Sequence, residues 1–116
     1  MTLRRRIFLF IVFLCSSVVL SLAQPKLEVV GGTHYDLGII NEGVVVTRRV
    51  VFKNTGTDSL RIDSITTSCG CTLAKPSSNV AASGDSLSLT ITFDTKNLSG
   101  PVRKHIFFYT NDSEQL

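Results

Sequence analysis

Apolar and polar residues alternate one by one along most of the chain that follows its first 23 residues. The clearest example is the segment 86–93, in which leucines, an isoleucine and a phenylalanine alternate with serines and threonines. Because successive side chains of a β-strand point to opposite faces, this pattern predicts a half-buried antiparallel strand. Similar spacing predicts five further strands, at 26–30, 35–40 (a brief edge strand), 44–53, 60–65 and 102–110.

Turn-forming residues separate these predicted strands, and no segment shows sustained helical periodicity. Asn, Asp and Gly tolerate the left-handed backbone that tight turns need, and proline fixes its own φ. Many short strands between such turns are typical of an all-β sandwich or barrel. We expect an immunoglobulin-like antiparallel β-sandwich of about six to seven strands. The likeness is one of architecture only, because the chain after residue 23 has no tryptophan and no cysteine pair separated by a long loop.

The first 23 residues have the composition of a secretory signal peptide. Arg4, Arg5 and Arg6 precede an apolar run at 7–22, which ends in Ser21-Leu22-Ala23 with small residues where a signal peptidase cuts. An uncleaved membrane anchor is the alternative, but the run is short against the roughly 20 residues that span a bilayer. The sequence therefore predicts a signal peptide at 1–23 and one domain at 24–116. We expect an exported protein, periplasmic or extracellular, with no transmembrane segment in its mature form.

Removal of this segment changes the charge of the protein. The whole chain carries 12 basic and 9 acidic residues, for a net charge of +3. The three arginines of the signal segment account for the whole excess, so the mature chain is formally neutral. Adjacent basic residues remain only as the pairs Arg48-Arg49 and Arg103-Lys104, and neighbouring side chains on a strand point to opposite faces. We therefore expect no binding of nucleic acid.

The segment Ser68-Cys69-Gly70-Cys71-Thr72 holds both cysteines of the mature chain, since Cys15 lies in the signal segment. In extended backbone, residues two apart lie on the same face, so the Cys69 and Cys71 thiolates could both bind one copper(I) ion. A zinc ion would need further ligands. A turn at Gly70 would instead permit a small, strained and easily reduced disulfide. The third interpretation is two packed thiols that act as small apolar side chains. The sequence leaves these three alternatives open.

Several short motifs together resemble the exported bacterial proteins grouped as domain of unknown function 1573, which are related to hydin-type immunoglobulin-like domains. The motifs, in chain order, are Asp36-Leu37-Gly38, Phe52-Lys53-Asn54-Thr55-Gly56, Ser68-Cys69-Gly70-Cys71-Thr72, Pro76, Ser83-Gly84-Asp85, Phe93-Asp94 and Thr110-Asn111-Asp112. The resemblance covers about residues 35–112. It implies a β-sandwich outside the cytoplasm and carries no known catalytic role or ligand.

Family members usually continue after the last motif into a turn and a final apolar strand, and we expect that C-terminal strand to be missing here. One explanation is a truncated gene product. The other is an open sheet edge that receives a strand from a protein partner. Phe107 and Tyr109 fall on the outer face of the preceding predicted strand, where an aromatic pair would mark a contact surface or lie beneath a covering loop.

Candidate catalytic residues are few. The chain has no G-x-S-x-G nucleophile motif and no glycine-rich phosphate loop. His34 and His105 are expected to be strand or surface residues, and Asp94 and Asp112 to be turn caps. We expect a non-enzymatic interaction or envelope-structural module of unknown molecular function. The alternative is a thiol-based copper-binding or redox protein that uses Cys69 and Cys71.

Overall fold

A computed structural model describes residues 21–114, and within this range the regular structure consists only of β-strands. The signal segment at 1–23 lies almost entirely outside the described residues. Among the described residues, no helix has the length and apolar character needed to cross a membrane. The strands are β1 (Leu27–Val30), β2 (Val45–Asn54), β3 (Leu60–Thr67), β4 (Thr72–Pro76), β5 (Val80–Ala81), β6 (Ser86–Asp94) and β7 (Ile106–Thr110).

The seven strands form two sheets in which every paired strand is antiparallel. The first sheet has the order β1-β2-β6-β4 and the second the order β5-β3-β7. The sheets are open, so the fold is a β-sandwich rather than a barrel. The four-strand order and the β3-β7 pair follow the arrangement of an immunoglobulin-type sandwich. The expected fold class is therefore confirmed.

The core lies between the sheets, and from β2 and β6 it uses residues on the faces that the alternation predicts to be inner. Each sheet contributes to one buried cluster: Val50 and Phe52 from β2, Leu87 and Leu89 from β6, Leu60 and Ile62 from β3, and Ala81 from β5. Phe108 of β7 joins this cluster from its edge, with its ring edge-on to that of Phe52 at 4.9 Å between centroids. An edge-on aromatic pair adds to the apolar burial that holds the two sheets together.

Two of the strand predictions need correction. The predicted edge strand at 35–40 is wrong: these residues belong to the loop between β1 and β2. The Asp36 carboxylate accepts a hydrogen bond from the Gly38 amide, and Gly38 has a φ of 69°, so the local bonds close a turn instead of a ladder. The predicted strand at 102–110 begins only at Ile106, because the His105 amide donates to the side chain of Ser68 rather than to a β3 carbonyl.

The structure also contains two strands that the apolar pattern does not predict, β4 and β5. β4 carries Lys75 and Pro76 and is an edge strand of the first sheet. β5 is two residues long and pairs with the start of β3. Short edge strands and strands that contain lysine or proline are common at sheet margins, where they discourage further pairing. Such strands have too few alternating apolar residues to be recognised from sequence.

Asn54, the last residue of β2, is fully buried and joins three segments of the chain. Its side-chain amide donates to the carbonyls of Asp58 and Ala81, at 2.7 and 3.0 Å. Its side-chain oxygen accepts from the amides of Lys26 and Gly56, at 3.2 and 3.0 Å. All four hydrogen-bonding positions of this side chain are therefore used. One polar residue thus fixes the turn after β2 against β5 and against the approach to β1.

Gly56 lies where the chain approaches itself too closely for a side chain. A Cβ at this position would come within 2.6 Å of backbone atoms of Gln24, Pro25 and Lys26. This segment is held to the turn after β2 by hydrogen bonds from Thr57 to Gln24 and from Thr55 to Lys26. Glycine is required here because two backbone segments are in contact.

We expect Gly56→Ala to lower the free energy of unfolding by about 1–2 kcal/mol, because the segment before β1 must move away and release these bonds. The measurement is urea denaturation followed by circular dichroism. Gly70→Ala is the matched control, since a Cβ at Gly70 would have no atom within 4 Å. Equal losses of stability in the two variants would contradict the close-approach explanation.

Candidate functional site

Residues 68–71 form the turn that carries the chain from β3 in one sheet to β4 in the other. Within this turn Cys69 and Cys71 form a disulfide, with their Cα atoms 5.3 Å apart. The extended arrangement considered for a metal clamp is therefore not what the structure shows. The turn at Gly70 brings the two cysteines to the Cα separation typical of a disulfide.

The disulfide is half-buried and sits within a set of local hydrogen bonds. The hydroxyl of Thr72, which is buried, lies 3.6 Å from the sulfur of Cys69 and 3.9 Å from that of Cys71. The Thr67 hydroxyl donates to the Cys69 carbonyl, and the Asp94 amide donates to the Cys71 carbonyl. The bonded pair thus closes a turn whose two ends are each fixed to a strand.

The two histidines are placed differently with respect to this turn. The backbone of His105 exchanges hydrogen bonds with Ser68: its carbonyl accepts from the Ser68 amide, and its amide donates to the Ser68 hydroxyl. Its ring stacks on Phe107, at 6.2 Å between centroids. His34 lies in the loop after β1, where its ring nitrogen is 3.2 Å from the Thr33 hydroxyl. Across residues 21–114, no three or more His, Cys, Asp or Glu side chains are grouped so that they could hold a metal ion.

The Thr110-Asn111-Asp112 segment fastens the end of β7 to both sheets. Asn111 exchanges hydrogen bonds with the start of β3: its side chain accepts from the Arg61 amide and donates to the Ser59 carbonyl. The buried carboxylate of Asp112 accepts from the amides of Leu27 in β1 and of Glu114. Asp112 is therefore a backbone cap, as the sequence predicts.

Other residues of the recognised motifs have comparable backbone roles. The Asp94 carboxylate accepts from the Lys96 amide, which again confirms a predicted cap. The Gly84 amide and the Asp85 carbonyl bond to the backbone of Asn54, and the Ser83 hydroxyl donates to the Gly56 carbonyl. The motifs that carry the family resemblance are therefore turns and caps that join the strand ends.

A cleft of about 250 Å³ lies beside the segment that precedes β1. It is lined by Gln24, Pro25, Lys26, Gly56, Thr57, Asp112 and Glu114. Lys26 and Glu114 face each other across it at 4.0 Å, and both are largely exposed. The Asp112 carboxylate is already bonded to two backbone amides, so this cleft is explained by the contacts that hold the N-terminal segment to the end of β7.

β7 forms one edge of the second sheet, and within residues 21–114 its strand partner is β3. Its outward side chains Phe107 and Tyr109 are 50% and 48% exposed. They lie opposite Thr66 and Ser64 of β3, which are also exposed. The outer face of this edge is thus an aromatic stripe beside small polar residues, as the sequence predicts for these two rings.

The direction of the β7 backbone groups follows from the pairing with β3. The His105 carbonyl accepts from Ser68, so the backbone of His105 faces β3. Because the two sides alternate along an antiparallel strand, Phe107 and Tyr109 also bond toward β3. The N–H and C=O groups of Ile106, Phe108 and Thr110 therefore point to the open side. This edge, defined by residues 106–110, is called the β7 edge below.

One charged pair adjoins this part of the second sheet. The Arg61 guanidinium donates to the Asp63 carboxylate at 2.7 Å, and both side chains are exposed. This hydrogen bond and the negative charge of Asp63 raise the pKa of Arg61, which is a permanent cation in any case. An exposed pair of this kind contributes little to stability.

Comparison with known proteins gives one family. The model of the family described as "Protein of unknown function (DUF1573)" matches residues 29–116, which is most of the chain. No curated protein and no solved structure matches the chain.

Proposed function

The chain belongs to the DUF1573 family, and from this membership and the geometry of the β7 edge we propose that it is an exported, non-enzymatic interaction or envelope-structural module that binds an extended segment of a protein partner. The family description states no activity. Export is supported by the signal-like sequence at 1–23. The observation that carries the proposal is the β7 edge, with its three outward-bonding residues and its exposed aromatic pair.

The β7 edge is better suited to strand addition than the other three sheet edges. β4 contains a lysine and a proline, and β5 has two residues. In β1 the outward Leu27 amide already donates to the Asp112 carboxylate, and the outward Val29 carbonyl accepts from the Gly32 amide. β7 has the sequence Ile-Phe-Phe-Tyr-Thr, without charge, proline or glycine. Strand addition draws its affinity from backbone hydrogen bonds and its specificity from alternate side chains. β7 supplies both.

The test uses a display library of short peptides and two proline variants of β7. Ile106→Pro removes an N–H that points to the open side, at the first position of the strand, where proline is tolerated. Phe107→Pro removes an N–H that bonds to β3 and should destabilise the fold. We expect peptides with alternating apolar residues to bind the unaltered chain, and Ile106→Pro to weaken them by about tenfold or more while its unfolding midpoint is kept.

Two outcomes would count against the proposal. One is a library that yields no binder. The other is a set of binders whose affinity is the same for the unaltered chain and for a folded Ile106→Pro variant. The Phe107→Pro variant serves as the control that reports on the assignment of backbone directions, since only this substitution should lower the unfolding midpoint.

A second candidate function, thiol–disulfide exchange or copper(I) binding, is favoured by one observation: the disulfide at Cys69 and Cys71 is half-buried and closes a very short loop. In an exchange, a thiolate of a dithiol reductant would attack one sulfur and break the S–S bond. The second thiol of the reductant would then complete the transfer of two electrons and two protons, which leaves two cysteine thiols and an oxidised reductant. Only these reduced thiols could bind copper(I).

We expect the exported chain to have no free thiol before reduction and two afterwards, as counted by a thiol-specific reagent. Copper(I) titration of the reduced chain, beside a Cys69→Ser/Cys71→Ser variant, then decides the second candidate. Stoichiometric binding that the variant lacks would establish a soft-metal site. Free thiols in the untreated exported chain would contradict the disulfide, and the absence of copper binding and of exchange with a dithiol would leave the disulfide a structural link.

A further inference from the structure

We infer that the partner of the β7 edge is a second copy of this chain, bound antiparallel about a two-fold axis that passes between the two copies of Phe108. This inference rests on the proposed function and specifies its partner. A two-fold pairing uses the same surface of both copies, so it closes after two chains and leaves no β7 edge open. The pairing would extend the three-stranded second sheet into a sheet of six strands.

The directions of the backbone groups select the register. The three outward-bonding residues of β7 are Ile106, Phe108 and Thr110, and in an antiparallel pair such residues must lie opposite one another. A two-fold axis between the two copies of Phe108 sets these two residues opposite each other. It also sets Ile106 of each copy opposite Thr110 of the other. All three outward residues of each copy are then paired. A shift by two residues in either direction loses one of these pairs.

The outer side chains are complementary in the same register. Phe107 of one copy lies opposite Tyr109 of the other, and symmetry repeats this pair. These are the non-hydrogen-bonded positions of the ladder, where Cα atoms are about 4.5 Å apart and side chains are closest. Rings that are about half exposed in the single chain would then cover each other. Aromatic pairs across strands are among the favourable cross-strand contacts.

The charges that flank β7 also favour the antiparallel self-pairing. Arg103 and Lys104 precede the strand, and Asp112 and Glu114 follow it. Antiparallel pairing brings the basic end of one copy beside the acidic end of the other, and does so at both ends of the interface. Lys104 and Glu114 are both exposed, and the Glu114 contact with Lys26, at 4.0 Å, is an exposed pair that can be exchanged at little cost for one with the second copy. The Asp112 carboxylate, in contrast, is held by backbone amides.

The register is tested with two variants of the full chain that each add one cysteine to the Cys69–Cys71 disulfide, exported and purified with different tags. We expect a mixture of Phe107→Cys and Tyr109→Cys chains to give a covalent heterodimer under mild oxidation, because these positions face each other. Each variant alone should crosslink poorly, since its own cysteines lie diagonally. Phe107→Cys mixed with Leu73→Cys is the matched control, because Leu73 is well exposed on an edge strand of the other sheet.

The charge pattern gives an independent test by analytical ultracentrifugation. Lys104→Glu alone places an acidic side chain where Glu114 of the second copy approaches, and Glu114→Lys alone places a basic side chain where Lys104 approaches, so each should weaken self-association. A mixture of the two variants restores opposite charges at both ends and should dimerise more strongly than either alone. Both substitutions lie outside the strands, so the fold is expected to persist.

Three results would overturn the inference. The unaltered chain could sediment as a monomer at every concentration, or Phe107→Cys could crosslink to Leu73→Cys as efficiently as to Tyr109→Cys. The third is a mixture of the two charge variants that dimerises no more strongly than either variant alone. The broader proposal is judged separately. Library peptides that bind the β7 edge of a monomeric chain would refute the second copy as partner and leave strand addition standing. A chain that neither dimerises nor binds peptides at this edge would refute both.

Discussion

Replacing Asn54 with alanine should lower the free energy of unfolding by about 3–5 kcal/mol, because four backbone groups lose their hydrogen-bonding partner at once. These groups are the amides of Lys26 and Gly56 and the carbonyls of Asp58 and Ala81. The side chain is 0% exposed, so water cannot replace all four bonds without entering the structure. Such a loss would be a large share of the stability of a small domain.

The measurement is urea denaturation followed by far-ultraviolet circular dichroism. Asn79→Ala is the matched control: Asn79 is exposed in the segment before β5, and its loss should change stability by less than about 0.5 kcal/mol. Asn54→Asp keeps a side-chain oxygen but cannot donate to two carbonyls, so it should be at least as harmful as alanine. Equal stability of Asn54→Ala and Asn79→Ala would show that the buried amide is not a structural centre.

Replacing Leu89 with alanine should cost about 2–5 kcal/mol, through lost apolar burial and the cavity that remains. Leu89 is 0% exposed in the middle of β6, where its neighbours across the ladder are Val50 and Pro76. Since β6 pairs on both sides, the backbone around this position has little freedom to collapse into the space. The effect should appear as a lower denaturation midpoint with an unchanged dependence on urea concentration.

Leu73→Ala provides the same chemical change on the surface. Leu73 lies in β4, which neighbours β6, but its side chain is 66% exposed. Its removal should shift stability by less than about 0.5 kcal/mol. A comparable loss at both leucines would mean that the inward and outward faces of the first sheet have been assigned wrongly.

The residues of the family motifs acquire a physical explanation in the folded chain. Asn54 and Gly56 hold the turn after β2, Asp112 ties the end of β7 to β1, and Asp94 caps the turn after β6. Polar residues that are already bonded to the backbone are poorly placed for proton transfer to a substrate. This use of the motif residues explains them as parts of the fold, and it directs attention to the β7 edge for the proposed binding role.

Of the three interpretations of the two cysteines, the disulfide is the one that the structure shows. As an oxidised pair, Cys69 and Cys71 have no thiolate for a metal ion. The link closes the turn between the two sheets and restrains the backbone of that turn. Its chemistry as a redox pair stays a prediction for the thiol count and the copper titration.

The order of apolar and polar residues determined most of the strands on its own. Segments such as 44–53 and 86–93 alternate over eight or more residues, and a period of two is compatible with only one kind of half-buried element. Caps such as Asp94 and Asp112 were predictable for the same local reason, because short carboxylates after strands bond to nearby amides. The outward position of Phe107 and Tyr109 also follows from the alternation alone.

Only the tertiary structure decided the features that depend on distant contacts. β4 and β5 are strands because β6 and β3 supply their partners, although their own sequences alternate poorly. Asn54 is a buried centre because three segments converge on it, and the turn at Gly70 joins two cysteines that an extended chain would hold apart. Within residues 21–114, β7 is an edge because of the order of strands in the second sheet. Alternation is a local property of the chain, whereas partners, burial and edges are properties of segments that meet only after folding.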